Sequence, residues 1–367
     1  MTLSPMLRVL GGLAAAVVVL VGLSWASEIV GPIALAAVLV IICHPLHRPL
    51  QRWGWPRWAA TTAVIIVAYV ILAVMALLLY FAGVQFAHLV VDYLPELQAT
   101  ADEVIAWLAS TGLSEQATRA AASVLAPEKL VTVATSLTGT IVGVVISLFF
   151  VVSYVIFMAA DAARYSHVRE VFGSAVDSTL ARMRAFTVGT RRYYIVNAIF
   201  GAIVAIIDGI ALAAVGVPAP VVWAILAFVT NFVPNIGFIL GLIPPAVLAL
   251  VVGGWPLFLV VIAIYCVANV VLQVLIQPKF VADAVDLSLT LSFFSVIFWT
   301  FIIGPLGAIL SIPLTLLVRA LVLEADPNAH LLRWLTGKSA APPPSAEADP
   351  NAGGPDDAGG QTEPEVS

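Results

Sequence analysis

The sequence predicts an all-α polytopic membrane protein with eight hydrophobic segments: six spanning helices and two re-entrant helical hairpins. Three observations predict it. The 367-residue chain is 62% hydrophobic and only 10% charged, where a soluble domain carries roughly 25% charged residues. Its mean hydropathy is +1.07. Its apolar residues fall into runs long enough for the roughly 20 residues a membrane helix needs. The runs are 7–24, 28–43, 59–86, 136–160, 194–216, 219–252, 256–276 and 287–323.

The first run follows Arg8 and is expected to be a span, since no small-residue cleavage site follows it. With 28–43 and 59–86 it makes an N-terminal transmembrane unit, 1–87. Between the second and third runs lies HPLHRPLQRWGWPRW, which has arginines, no acid and tryptophans suited to a headgroup layer. His44 and His47 are expected to be interfacial, because no third metal ligand is nearby. Residues 88–135 repeat apolar side chains at helical spacing, with Asp92, Glu96, Asp102 and Glu103 on the other face. They predict an amphipathic helical insert outside the membrane. Region 136–192 joins a span to a second basic segment. By the positive-inside rule, the basic loops and both termini belong in the cytoplasm and the acidic insert outside. Residues 193–323 are the expected transport domain and 324–339 a short cytoplasmic segment. The Pro/Gly-rich acidic tail, 340–367, cannot bury a core and is expected to be disordered. Cys43 and Cys266 sit in apolar runs as small core residues.

Two runs are too long for one span. As one helix, 219–252 would extend about 50 Å across a hydrocarbon layer of about 30 Å. It is interrupted at NFVPNIGFILGLIPP, and 287–323 is interrupted at Gly304-Pro305-Leu306-Gly307. Proline ends the helical ladder, and irregular backbone at membrane depth must be buried in protein or line a watery cavity. Each run therefore predicts a hairpin whose tip lies inside the membrane. GFILGLIP at the first break parallels GAILSIP at the second, and a span precedes each. If the first hairpin enters from outside and the second from the cytoplasm, the C-terminal half is an inverted repeat, the arrangement that marks transporter binding sites. A kinked long helix is the structural alternative.

These motifs, with GGWPLFLVV, LIQPKF and FWTFIIGPLGAILSIPLTLL, resemble the autoinducer-2 exporter family of bacterial membrane proteins. Asn231, Pro234, Asn235, Gly237, Gly304, Pro305, Gly307 and Pro313 match its signature positions, which makes them candidate hairpin-tip residues of the substrate pathway. Val233 departs from the aromatic often found before the first proline, and Asp283 and Asp286 are more acidic than usual. The resemblance implies export of small polar metabolites such as autoinducer-2 across a bacterial inner membrane. It also implies a homo-oligomer, a pentamer foremost. Some members are similar to sodium/proton antiporters.

The residues themselves add candidates. Asp208 sits midway through an apolar span, where a carboxylate is costly and a functional site is the default expectation. It is the candidate for coupling to a proton or sodium. Asn197 and the stripe Asn269, Gln273 and Gln277 face either a pathway or a partner helix. Gly201, Ala205, Gly209 and Ala213 make a small-residue stripe for close packing. No HExxH, phosphate-binding loop, GxSxG or Cys/His cluster is present. No enzyme, cofactor, metal or nucleic-acid partner is therefore expected, and transport would draw on an ion gradient. The readings are an exporter, a sodium/proton antiporter using Asp208, and an oligomeric channel or scaffold.

Overall fold

The computed structural model describes residues 5–110, 150–159, 161, 168–277, 280 and 287–323. The later part of the acidic insert, Asp283, Asp286, the segment 324–339 and the tail lie outside them.

Every regular element among the described residues is helical. Helix α1 is Pro5–Trp25, α2 is Ser27–Cys43, α3 is His47–Arg52 and α4 is Arg57–Asp92. Helix α5 is Leu94–Ser110, α6 is Phe150–Ala159 and α7 is Val168–Phe172. Helix α8 is Asp177–Ala214, α9 is Pro220–Thr230 and α10 is Gly237–Asn269, which a π-helical segment, Val270–Ile276, continues. Helix α11 is Leu289–Ile303 and α12 is Pro305–Val318. Five helical stretches among these residues are long and apolar enough to cross a membrane: Ser27–Arg52, Arg57–Asp92, Glu170–Ala214, Gly237–Ile276 and Pro305–Val322.

Both broken runs fold back on themselves. In the first, α9 and α10 pack against each other, and a β-carbon built on Gly241 would lie 3.5 Å from the Cα of Ala227. In one long helix those residues would be about 20 Å apart. In the second, the Trp299 indole Nε1 donates to Thr315 Oγ1 at 2.9 Å, and Thr315 Oγ1 donates to Ser295 Oγ at 2.9 Å. Those bonds tie α11 to α12. The chain thus forms two helical hairpins rather than two kinked helices.

The two tips are built alike. A β-carbon on Gly237 would overlap the carbonyl oxygen of Thr230, and one on Gly307 would overlap that of Trp299. Only glycine lets the returning arm start so close to the outgoing backbone. Gly304 takes φ 77 and ψ −156 between the arms of the second hairpin, a region essentially reserved to glycine. Gly254 does the same at φ 65 and ψ −163, breaking α10 where the first hairpin ends and the next span begins.

Helix α8 is the axis of the molecule. Ile195, Ile199, Ile206 and Ile210 are exposed along it, while Asn197, Gly201, Val204, Ala205, Asp208 and Leu212 are buried. From Ile195 on, a helix stretch with its polar groups inside and its isoleucines outside is built for lipid or a neighbouring subunit. The first hairpin packs on α8 and α4, and the second on α1, α2 and α8.

Candidate functional site

The small-residue stripe on α8 receives α9. A β-carbon at Gly209 would lie 3.0 Å from the Cβ of Ala224, and one at Gly201 would lie 2.7 Å from the Asn231 side-chain nitrogen. The glycines let α9 approach closely, and Gly201 admits the amide at the hairpin tip. Asn231 Nδ2 donates to the backbone carbonyl of Asn197 at 2.9 Å.

That contact starts an amide network. Gln273 Nε2 donates to Asn231 Oδ1 at 2.6 Å, and Gln277 Nε2 donates to Asn197 Oδ1 at 2.6 Å. Both glutamines belong to the π-helical segment or its end. The network joins the first hairpin tip, α8 and the continuation of α10, and Asn197 and Asn231 within it are buried. Asn269 lies one turn earlier and donates through Nδ2 to the carbonyl of Tyr265 at 2.7 Å. The polar residues foreseen in two separate spans therefore meet in one place, around Asn231.

Beside the network lies a cavity of about 10 Å³, the size of about one water molecule. Asp208 and Val204 of α8 line it, with Ala227, Thr230, Asn231, Phe238 and Gly241 of the first hairpin and Tyr265, Asn269 and Gln273. Asp208 is fully buried. Neither of its carboxylate oxygens accepts a hydrogen bond among the described residues.

The signature residues divide. Asn231 belongs to the network and Gly237 to the tip contact. Asn235 is exposed and takes φ 62, the left-handed region that asparagine tolerates better than most residues. Its visible role is to turn the chain, with its amide outside the network. Pro305 starts α12, where a missing N–H costs nothing. Pro313 lies buried inside α12 and cannot bond the carbonyl of Ile309 four residues earlier. Tyr194 supplies the missing donor: its hydroxyl bonds Ile309 O at 2.9 Å.

Tyr194 also stacks on Phe232 at the first tip, with ring centroids 6.3 Å apart. One side chain of α8 thus touches both hairpins, a role the sequence did not announce. Tyr265 was also missed, although it extends the Asn269, Gln273, Gln277 stripe by one turn at the same spacing.

The AI-2E family transporter model matches residues 13–325. The chain belongs to this family. Among its relatives is the AI-2 transport protein TqsA of Escherichia coli (strain K12), 28% identical over 306 residues, covering 83% of this chain and 88% of the relative. A protein of Haemophilus influenzae named "Putative transport protein" is 28% identical over 336 residues, covering 90% of this chain and 96% of its own. A third, YhhT of Escherichia coli (strain K12), carries the same description and is 26% identical over 309 residues, with 84% and 88% covered. The family match spans α8, both hairpins and the cavity under the first hairpin. The chain is accordingly a multi-pass membrane transporter of the AI-2E family.

Proposed function

We propose that this transporter is a secondary carrier that exports a small polar metabolite, with autoinducer-2 the leading candidate, and that the first hairpin is its gate. One observation carries the reading. The first hairpin covers a cavity with a buried carboxylate, and amide hydrogen bonds hold its tip to two other elements. Interhelical hydrogen bonds of this kind contribute only about 0.6 kcal/mol each in membranes, so they can break and re-form. The second hairpin is in addition clasped within itself through Trp299, Thr315 and Ser295, beside the Tyr194 bond that ties it to α8. Movement of the first hairpin against α8 would open the cavity to one side at a time.

The solute comes from the name of the TqsA relative, since nothing in the cavity's lining selects it. The relatives' names favour transport over enzymatic chemistry. The proposed setting is the bacterial inner membrane, with both termini cytoplasmic and hairpins re-entering from opposite faces. The outward isoleucines of α8 suit either lipid or the neighbours in a homo-oligomer, with a pentamer expected from the resemblance.

The test is counterflow in proteoliposomes. Wild type preloaded with autoinducer-2 should accumulate labelled autoinducer-2 in a saturable way. Asn231→Leu should lower that rate at least about tenfold while inserting normally, because it removes the centre of the network. Non-saturable leakage would indicate a channel instead. A second reading, coupling to sodium or protons, is favoured by the unpartnered carboxylate of Asp208.

A further inference from the structure

The basic end of the molecule carries positive charge that its own helices do not neutralise. No Asp or Glu occurs in 29–91, which holds α3 and most of α2 and α4, or in 178–207 of α8. His44, His47, Arg48, Arg52, Arg57 and Arg191 all lie in those stretches. The positive-inside rule accounts for basic residues lying on one side of a membrane. It does not account for their gathering at one place from separate elements. His44, in the turn after α2, stacks on His47 of α3, with ring centroids 6.0 Å apart and planes 9° apart. His47 Nε2 lies 3.4 Å from Thr61 Oγ1 of α4. The charges that act on His44 are those of His47, Arg48 and Arg191, all basic. Arg191 reaches this group from α8, far along the chain.

Three tryptophans of the same loop, Trp53, Trp55 and Trp58, are exposed at 78%, 48% and 73%. Indole rings favour the layer of a bilayer where one end is apolar and the other wet. Arginine forks pair the oxygens of a phosphate two at a time, and histidine ring nitrogens can donate to it. A zwitterionic headgroup brings its own cation and would leave the surplus charge standing. A net anionic headgroup would neutralise it, as basic pockets between transmembrane helices do with anionic lipids elsewhere. We infer that His44, His47, Arg48 and Arg191 hold the phosphate of an anionic phospholipid at the end of α2 beside α8.

The site sits near the machinery of the first hairpin. Arg191 precedes Asn197 by six residues on α8, about 9 Å along the helix axis. A headgroup bound by both Arg48 and Arg191 would brace the N-terminal helices against the helix that anchors the hairpin tip. The inference does not depend on which solute is carried.

The test is native mass spectrometry of the purified full-length protein in mild detergent, titrated with dioleoyl phosphatidylglycerol or dioleoyl phosphatidylcholine. Wild type should bind the glycerol lipid saturably and at least about tenfold more tightly than the choline lipid. Arg48→Gln combined with Arg191→Gln should weaken that binding about thirtyfold, at roughly fivefold per arginine. Arg182→Gln combined with Arg184→Gln removes the same charge earlier on α8 and should bind as wild type does. If the Arg48/Arg191 pair fails to fold, each single variant should still show its fivefold loss. Equal affinity for the two lipids, no loss in the Arg48 and Arg191 variants, or an equal loss in the Arg182/Arg184 pair overturns the site. Inorganic phosphate at matched concentration should not displace the lipid, because it lacks the acyl chains that the tryptophans would cover. Displacement would assign the site to free phosphate and overturn the lipid.

Discussion

At the residue scale, the two asparagines of the first tip do different work. Asn231 is buried and bridges α8 to the π-helical segment, while Asn235 is exposed in a left-handed turn. The expected outcome for Asn235→Gly is transport within about twofold of wild type, since glycine takes that conformation freely. A collapse of flux at normal expression would show that the Asn235 amide itself serves the pathway. Asn235→Leu should cost about 1–2 kcal/mol, because a branched side chain is disfavoured in the left-handed region, and thermal unfolding would read it. Tyr194 is the other decisive residue. Tyr194→Phe keeps the ring on Phe232 but leaves Ile309 O, already orphaned by Pro313, without its donor. The expected loss is about 0.6–2 kcal/mol, seen as a lowered melting temperature. Tyr194→Phe combined with Pro313→Ala should recover part of it, since alanine restores the backbone N–H. No recovery in the double variant would mean that the hydroxyl matters for another reason.

At the element scale, the tips depend on close backbone approach. Gly237→Ala and Gly307→Ala place a methyl against a backbone carbonyl that cannot rotate away. Overpacking of this kind costs about 1–3 kcal/mol, so both variants should show lower yield and melting temperature. Gly22→Ala, where a β-carbon meets nothing within 4 Å, should not. The hairpins also differ in how they are held. Side-chain bonds tie both to α8, the first through Asn231 and the second through Tyr194, but only the second has the Trp299–Thr315–Ser295 bonds closing it on itself. Amide hydrogen exchange is therefore expected to be faster across 220–240 than across 295–315, and Asn231→Leu should widen the gap. Equal protection of both hairpins, unchanged in that variant, would remove the reason for naming the first as the gate.

At the scale of the whole molecule, the position of α5 bears on orientation. Trp107 of α5 lies against Trp255, just after the Gly254 break, with ring centroids 6.3 Å apart. The base of the first hairpin is therefore at the end of the molecule that carries the insert. If the insert is outside, single cysteines at Ala214 and Trp255, both exposed on either side of the hairpin, should both react with an impermeant thiol reagent added to intact cells. A cysteine at Trp53 in the basic loop should not. The native Cys43 and Cys266 must be replaced first, since both are free thiols. Opposite labelling at Ala214 and Trp255 would mean that the segment crosses the membrane and is not re-entrant.

Much of this architecture was legible in the chain. Apolar runs gave the helices, because a span must satisfy its own backbone hydrogen bonds and cover them with hydrocarbon side chains. The excess length of 219–252 and 287–323, with proline and glycine at their centres, gave both hairpins. Asp208 was conspicuous because a carboxylate stands out in an apolar run. What the chain could not show was which polar residues meet. Asn197, Asn231, Gln273 and Gln277 lie on three elements far apart in sequence, and their partners depend on where α9 folds back along α8. Asn231 and Asn235 look alike in sequence, and only the direction of the turn buries one and exposes the other. Tyr194 could not be picked out, because it answers a carbonyl freed by a proline more than a hundred residues away. Sequence fixes local periodicity and the cost of each polar group in a membrane; tertiary structure alone decides which of those groups share a cavity, because that depends on packing between distant helices.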